Sequence, residues 1–529
     1  VTDFYWPTLL EPAASRLEIM SSAGRFVSPT SGFTRTISRP GERMRLTLNF
    51  ENTNSAKRAA IQYALARMQG ATHRIWAHDH SNRIRGSFPN SELFSNNTFA
   101  NGTTDWITGS DYTISTHDRV CRAVRSAVTG QANVIRRNSG APATVTQYAP
   151  YALRLFRRDV RNNGSTYLFR IGSTFGGTEY LISGTHAAGL ATEVFVALAS
   201  SAFFDYRDSA ASAVMPFENI IDIPWVSCSR CALVDNGGNL LLQSDDFTTT
   251  WANVRSTDAA NSTAAPDGQT TADSIIEDAT ASNTHYIEQT VTIPSAAADY
   301  CLIMPLKAGT RSWAVMQLQE TAGSTVTNVW CNLATGAFGT TAVGANFSNL
   351  RTFSVNLGNG WFAFCAVVRK TNASTGFNVR IYMSTGDGVS VYTGDGASLI
   401  YAWRPTLLQS SFPTRLTATT TAAVAAAAQA LSGPLHTKGW PVSTNGLLLP
   451  GDQVQIGNQI HIVTSPVNSD AAGRATLDCY PARRSAPAEN VPIIVNQPMG
   501  KFFLESDANG WGNKPGIFSD AEIVLAEAA

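Results

Sequence analysis

Between residues 91 and 416 the sequence abandons helical periodicity, fills with Asn, Thr, Gly and Ser, and states one opening phrase twice. Residues 90–110, NSELFSNNTFANGTTDWITGS, parallel residues 237–256, GGNLLLQSDDFTTTWANVRS. Each runs from a polar lead through a Leu pair or Leu-Phe to Ser or Asn, then a Phe, a short polar gap and a Trp. The ends rhyme as well, IDIPWVSCSRCALV at 221–234 against SLIYAWRPTLLQSS at 398–411. Self-similarity at about 150 residues means two copies of one module and not a solenoid, whose repeats are far shorter. Many short strands between turn signals make each copy a β-sandwich, expected over residues 91–236 and 237–416.

The flanks read differently. In TRTISRPGERMRLTLNF, Met44, Leu46, Leu48 and Phe50 share one parity beyond a Pro-Gly turn, as strands require. Over 54–70 the period changes: Ile61, Leu65 and Met68 fall on one helical face, with Gly70 as the stop. THRIWAHDH then reads as a strand. The alanine-rich run AAVAAAAQAL at 422–431 predicts a second short helix within a return linker, 417–436, because Ala is the best helix former. Strand patterns resume from 439, and IFSDAEIVLAEA reads as a closing strand. The core domain is therefore expected to be discontinuous, built from 1–90 and 437–529.

Composition narrows the function. Of 529 residues, 43% are hydrophobic and 15% charged, enough apolar material for several cores. Lys and Arg number 39 and Asp and Glu also 39, so no basic footprint points to nucleic acid or to an anionic lipid surface. No run approaches the roughly 20 apolar residues of a membrane span, and VTDFYWPTLLEP lacks the form of a signal peptide. The seven cysteines are widely spaced and read as buried free thiols; Cys228 and Cys231 lie in a strand-like run, where i and i+3 face opposite ways.

The C-terminal flank then gives a resemblance. Gly439-Trp440-Pro441, the L-x-GD-x-V-x-I pattern ending GDQVQI, SDAAGRATL, the Pro-Ala-Arg-Arg turn and the terminal Glu-Ala together resemble the distal tail proteins of long-tailed phages. The N-terminal flank fits the same pattern: a strand pair, a helix and a strand leading to Arg85-Gly86. The central modules resemble the carbohydrate-binding jelly rolls of phage tail proteins. In the second copy the matching residues are Asn239-Leu240-Leu241, Phe247 with Trp251, Ala265-Pro266-Asp267-Gly268, NLATG at 332–336 and Asn359-Gly360-Trp361-Phe362. Its closing strand departs from the pattern at Arg404 to Gln409, where an acid is usual. The resemblance implies a mainly β protein: a discontinuous β-sandwich or barrel core with one short α-helix and two inserted jelly-roll sandwiches. It further implies a virion protein made in the host cytoplasm and placed at the distal end of the tail. There a cyclic homo-oligomer, a hexameric ring in related tails, would meet the tail tube, the tail-tip hub and the tape-measure protein.

No catalytic constellation is expected: GxSxG, HExxH and phosphate loops are absent. His78-Asp79-His80 puts two imidazoles on one strand face without a third ligand, and a structural role is expected. Asp245-Asp246, Glu277-Asp278, Asp387 and Asp395 are carboxylates of the type a depolymerase needs, but they sit in loops where Asp satisfies turn amides. No cofactor is expected, although the oxygen-rich loops of the second module would suit a structural calcium. The binding candidates lie on three of its strands. With Ala314, Met316, Leu318, Val329, Cys331, Leu333, Val379, Ile381 and Met383 inward, the opposite face carries Trp313, Gln317, Gln319, Asn328, Trp330, Asn332, Arg380 and Tyr382. Rings flanked by amides and a guanidinium suit a host-surface glycan, because C–H faces stack on rings and hydroxyls bond amides. The same face would equally suit a protein interface. Two consequences are expected: Trp330 and Tyr382 can be truncated without unfolding the module, and residues 91–436 can be replaced by a short linker.

Overall fold

The computed structural model describes residues 3–528 except 7–9, 21–22, 28, 32–33, 39–41, 70–71, 82–83, 90–91, 95–96, 102, 109–111, 118, 126–132, 138–141, 162–166, 175–177, 179, 184, 209–219, 324, 427–428, 506–510 and 514–518. The protein is mainly β, with one helix among the described residues.

Strands from both chain ends interleave in one sheet. Its order is Asp3–Tyr5, Arg74–His78, Met499–Leu504, Ser519–Glu527, Arg43–Thr53, Ala14–Met20, and Trp511–Asn513 pairs beside Ser519–Glu527. The expected parity holds: Met44, Leu46, Leu48 and Phe50 are buried against Ile523 and Leu525. The helix Ser55–Met68 closes this core with Ile61, Ala64 and Met68. Asn54 caps it by accepting from the Lys57 amide at 2.9 Å, satisfying one orphan donor of the first turn. The left-handed residue at its end is Gln69, at φ 46°. The expected stop at Gly70 and the Pro40-Gly41 turn lie outside the described residues.

A second sheet nearly closes on itself, in the order Ala475–Leu477, Leu435–Lys438, Ala232–Val234, Pro492–Ile494, Gln453–Ile456, Gln459–Val463, Cys479–Tyr480. Its core joins Phe88, Val234, Leu435, Trp440, Leu447, Val454, Val463 and Ile493. The Gly-Asp of the GDQVQI motif has a physical role here. Asp452 is fully buried and accepts from the amides of Arg85 (2.9 Å), Gly86 (3.2 Å) and Leu449 (2.8 Å). One carboxylate thereby ties the two flanking segments together. Gly86 is required for that approach, since a Cβ would fall 2.6 Å from the Leu448 Cα.

The sheet corrects two expectations. Ala232–Val234, assigned from sequence to the first insert over 91–236, belong to this sheet: Ala232 and Leu233 pair with Ile493 and Pro492, and Leu233 and Val234 with Lys438 and Thr437. The chain makes two excursions with a barrel strand between them, so removing 91–436 whole would remove an interior strand. The described residues of the alanine-rich run, 422–426 and 429–431, are not helical either. Val424 bridges Asn239 through two backbone hydrogen bonds of 2.7 and 2.9 Å. The Gln429 amide donates to the carbonyls of Asp235 and His436, each at 2.9 Å. Intrinsic propensity, worth tenths of a kcal/mol per residue, yields to these tertiary bonds.

Each excursion is a two-sheet sandwich. In the first, Leu181–Ile182, Tyr167–Gly172, Ser201–Asp208, Asn133–Arg137 and Trp106–Ile107 face Gly189–Val196, Pro150–Arg161, Ile220–Arg230, Val120–Arg125 and Tyr112–His117. In the second, a six-stranded sheet runs Ala252–Val254, Tyr286–Thr292, Gly376–Ser384, Trp313–Glu320, Val326–Asn332, Phe338–Val343. It packs on a sheet containing Ser256–Thr263, Ala272–Glu277, Leu399–Ala402, Ala298–Ala308, Trp361–Lys370 and Phe347–Gly358. Trp251 and Trp361 are buried. All seven cysteines are free. Cys228 belongs to the first sandwich core and Cys231 to a separate cluster with Ala152, Leu233, Phe412 and Ile494.

Candidate functional site

The six-stranded sheet brings all eight candidate residues to one face, because antiparallel registry sets them in cross-strand rows. One row is Tyr286–Tyr382–Val315–Trp330, the next Glu288–Arg380–Gln317–Asn328, with Trp313–Asn332 on one side and Asn378–Gln319 on the other. Ala314, Met316, Leu318, Val329, Cys331, Val379, Ile381 and Met383 fill the opposite, core face.

The face is more internally bonded than its composition suggests. Gln317 is its hub: its carbonyl oxygen accepts from Arg380 Nη1 at 2.7 Å and Tyr382 Oη at 3.2 Å, and its amide donates to Asn328 Oδ1 at 2.7 Å. Arg380 also donates Nε to Glu288 at 2.6 Å and lies 5.0 Å over the Tyr286 ring, which packs tilted against Tyr382 at 4.4 Å. Burial works against the Arg380 charge, but the Glu288 hydrogen bond holds its pKa above the ordinary value. Burial likewise raises the Tyr382 phenol.

Three candidates differ from expectation. Gln317, Trp330 and Tyr382 are buried, and Trp330 and Tyr382 form a small apolar cluster with Val315. The reason is a loop. Ser384 Oγ holds the carbonyls of Gly386 (2.7 Å) and Val389 (2.5 Å), Asp387 accepts from the Thr340 amide (2.6 Å), and Trp330 Nε1 donates to the Val389 carbonyl (3.2 Å). The turn thus folds back over the sheet end. Asn332 is committed too, accepting from the amides of Ala334 and Thr335 in its hairpin. Trp313, Tyr286, Arg380, Asn328 and Gln319 on this face are half-buried. Tyr286 and Glu288 were missed from sequence, although HYIEQTVTI alternates plainly: Ile287, Val291 and Ile293 are buried and Tyr286, Glu288 and Thr290 lie opposite.

The other constellations are engaged locally. Asp245 forms a bidentate pair with Arg404, and Glu277 pairs with Arg311 and Tyr392. Asp278 accepts from the Thr280 amide at 2.9 Å. Asp395 accepts from Ser398 and Ala397, which hold its pKa well below the usual carboxylate range. The His78 and His80 rings lie tilted against each other at 4.1 Å, and burial lowers the pKa of both. Asp79 between them accepts from Ser15, Ser81 and Gln453, joining the interleaved sheet to the barrel. Among the described residues no group of three or more His, Cys, Asp or Glu side chains is arranged to hold a metal.

No family model matches this chain, and neither does any curated protein. Among solved structures it is similar to the N-terminal CBM22-1–CBM22-2 tandem domain of Xyn10C from Paenibacillus barcinonensis. The identity is 8% over 62% of this chain and 100% of that one, with a TM-score of 0.22. A TM-score that low bears on neither ligand nor activity. Among the described residues no helix is long and apolar enough to cross a membrane.

Proposed function

We propose that the chain is a structural protein of the distal end of a long-tailed phage tail, and that its second sandwich binds a host-surface glycan. The observation that carries the tail reading is the interleaving of both flanks in one sheet, with Asp452 pinning Arg85-Gly86 and the strand Ala232–Val234 of the barrel standing between the two sandwiches. That architecture suits a ring subunit: the discontinuous core provides the repeating contact with tube, hub and tape-measure proteins, and the sandwiches project. Closed cyclic symmetry, hexameric as in the tails it resembles, follows for such a part.

The sugar reading rests on the half-buried Trp313 and Tyr286 beside Arg380, Asn328 and Gln319. Binding without hydrolysis is favoured, since the candidate carboxylates are occupied by their own turns and arginines. Screening the protein and Trp313→Ala on a glycan array tests this reading. Losing one stacked ring should weaken binding by about 1–3 kcal/mol. An array without any hit would reject glycan binding. Release of reducing ends from host polysaccharide would instead favour a depolymerase.

A further inference from the structure

The side chain of Lys438 is fully buried. It ends the barrel strand Leu435–Lys438 and stands opposite Leu233 of the neighbouring strand Ala232–Val234. Asp235 continues that neighbour, its amide donating to the His436 carbonyl at 2.9 Å. Residues two apart on a strand share a face, and so do residues directly opposite, so Asp235 and Lys438 are diagonal neighbours on one side of the sheet. Lys438 Nζ lies 4.0 Å from Asp235 Oδ1, donates to Ser410 Oγ at 3.0 Å and donates to Glu489 Oε1. The other oxygen of Glu489 accepts from the Asn236 amide at 2.6 Å, which holds this carboxylate beside the pair. Asp235 is buried too. The Gly237 amide donates to its Oδ1 at 3.2 Å and the Arg415 amide to its Oδ2 at 2.9 Å. Leu233, on the same face, packs with Phe412 and Ile494.

We infer that Lys438 and Asp235 join in an intramolecular isopeptide bond, with Glu489 as the proton carrier. A desolvated lysine beside a base becomes a nucleophile, and Glu489 is in hydrogen-bond contact with Nζ, as a general base must be. Two backbone amides already aimed at the Asp235 oxygens stabilise the negative charge that develops there when Nζ adds to Cγ. The step balances. An Nζ–Cγ bond forms and one Cγ–O bond of Asp235 breaks. The ammonium begins with three protons and the amide keeps one. Glu489 relays the other two to the departing oxygen, which leaves as water, and Glu489 ends as it began. Nothing is oxidised or reduced. Burial favours the product, because two desolvated charges are replaced by a neutral amide. Asp235 and Lys438 stand where the chain leaves the barrel for the second sandwich and where it has returned. The bond closes that loop at its base, so a pull on the sandwich meets a covalent clamp before it reaches the barrel strands. Like any cross-link, it also restricts the unfolded chain.

The inference rests on neither the tail reading nor the glycan reading. The test is the intact mass of the full chain, purified and denatured, followed by peptide mapping with tandem mass spectrometry. The parent should be one water lighter than its sequence, and the map should recover a branched peptide joining Asp235 to Lys438. The map is needed because a succinimide at Asp267-Gly268, Asp387-Gly388 or Asp395-Gly396 would lose the same water. Lys438→Met and Asp235→Ala should have the full mass of their sequences. So should Glu489→Gln, in which nucleophile and acid remain but the proton carrier is gone. The parent decides the matter by itself, so a variant that fails to fold leaves the test intact. A parent of full mass, or one whose lost water maps elsewhere, overturns the proposal and leaves the three groups a buried ion-pair network. Loss of ammonia with the link at Asn236 overturns it as well. A Glu489→Gln chain that still cross-links overturns the role given to Glu489.

Discussion

A few buried polar residues decide how the candidate faces behave. Gln317 satisfies three neighbours at once, so the ring-rich face of the second sandwich is largely a preorganised platform. Trp330→Ala and Tyr382→Ala should therefore destabilise the protein by about 3 kcal/mol or more each, the range for large aromatic truncations at buried sites. Trp313→Ala should leave the melting curve near that of the parent. Differential scanning calorimetry checks the contrast, and equal melting temperatures for all three variants would contradict it. The buried histidines set the acid response. Burial lowers His461 to about 4 and His78 to about 3 from an ordinary 6.5. Both stay neutral in the fold, while the unfolded chain takes up protons near pH 6.5. Stability is therefore full above that pH and falls as the pH drops from 6.5 toward 4 and then 3. His461, whose Nδ1 lies 2.8 Å from the Pro481 carbonyl, should account for part of that slope. In urea melts between pH 7 and 4, His461→Gln should show a shallower decline than the parent.

At the scale of elements, the sequence disclosed parity well and packing poorly. Alternation placed Met44 to Phe50, the three candidate strands and the closing strand correctly, because a half-buried strand must alternate. It could not reveal that the 384–391 turn covers Trp330, since that depends on Ser384 bonding within the turn and on Asp387 meeting Thr340 of a distant strand. Nor could it see that Val424 and Gln429 of the alanine-rich run are tied to Asn239, Asp235 and His436. Ala232–Val234 was hidden for a related reason: three apolar residues continuing a strand-like run look like its end, not like a strand of another sheet. A direct consequence follows for excision. Replacing 91–436 by a linker removes that interior strand and should abolish cooperative unfolding. Replacing only 240–423 should leave a cooperative β-domain at a lower melting temperature, because the chain crossings at Asn239 and Val424 are already hydrogen-bonded neighbours. The linker needs only a few residues, and short closures cost little entropy. Circular dichroism and thermal melts of the two deletions decide this, and equal behaviour of the two would contradict the barrel assignment.

For the whole molecule, the discontinuity of the core was legible because strand, helix and strand signals bracketed a long region of different character. What ties the halves is now explicit in Asp452, Asp79 and the interleaved strands around Ser519–Glu527. Strands from the first and last parts of the sequence thus share one sheet. The most direct measurement is the position of the protein on a virion. An epitope inserted at the Asp267-Gly268 turn, where a Cβ on Gly268 would meet nothing within 4 Å, can be labelled and imaged by electron microscopy on intact particles. Label forming a collar at the distal end of the tail is the expected result. Label on the head or along the tail shaft, or particles that carry no copy of the chain, would contradict it.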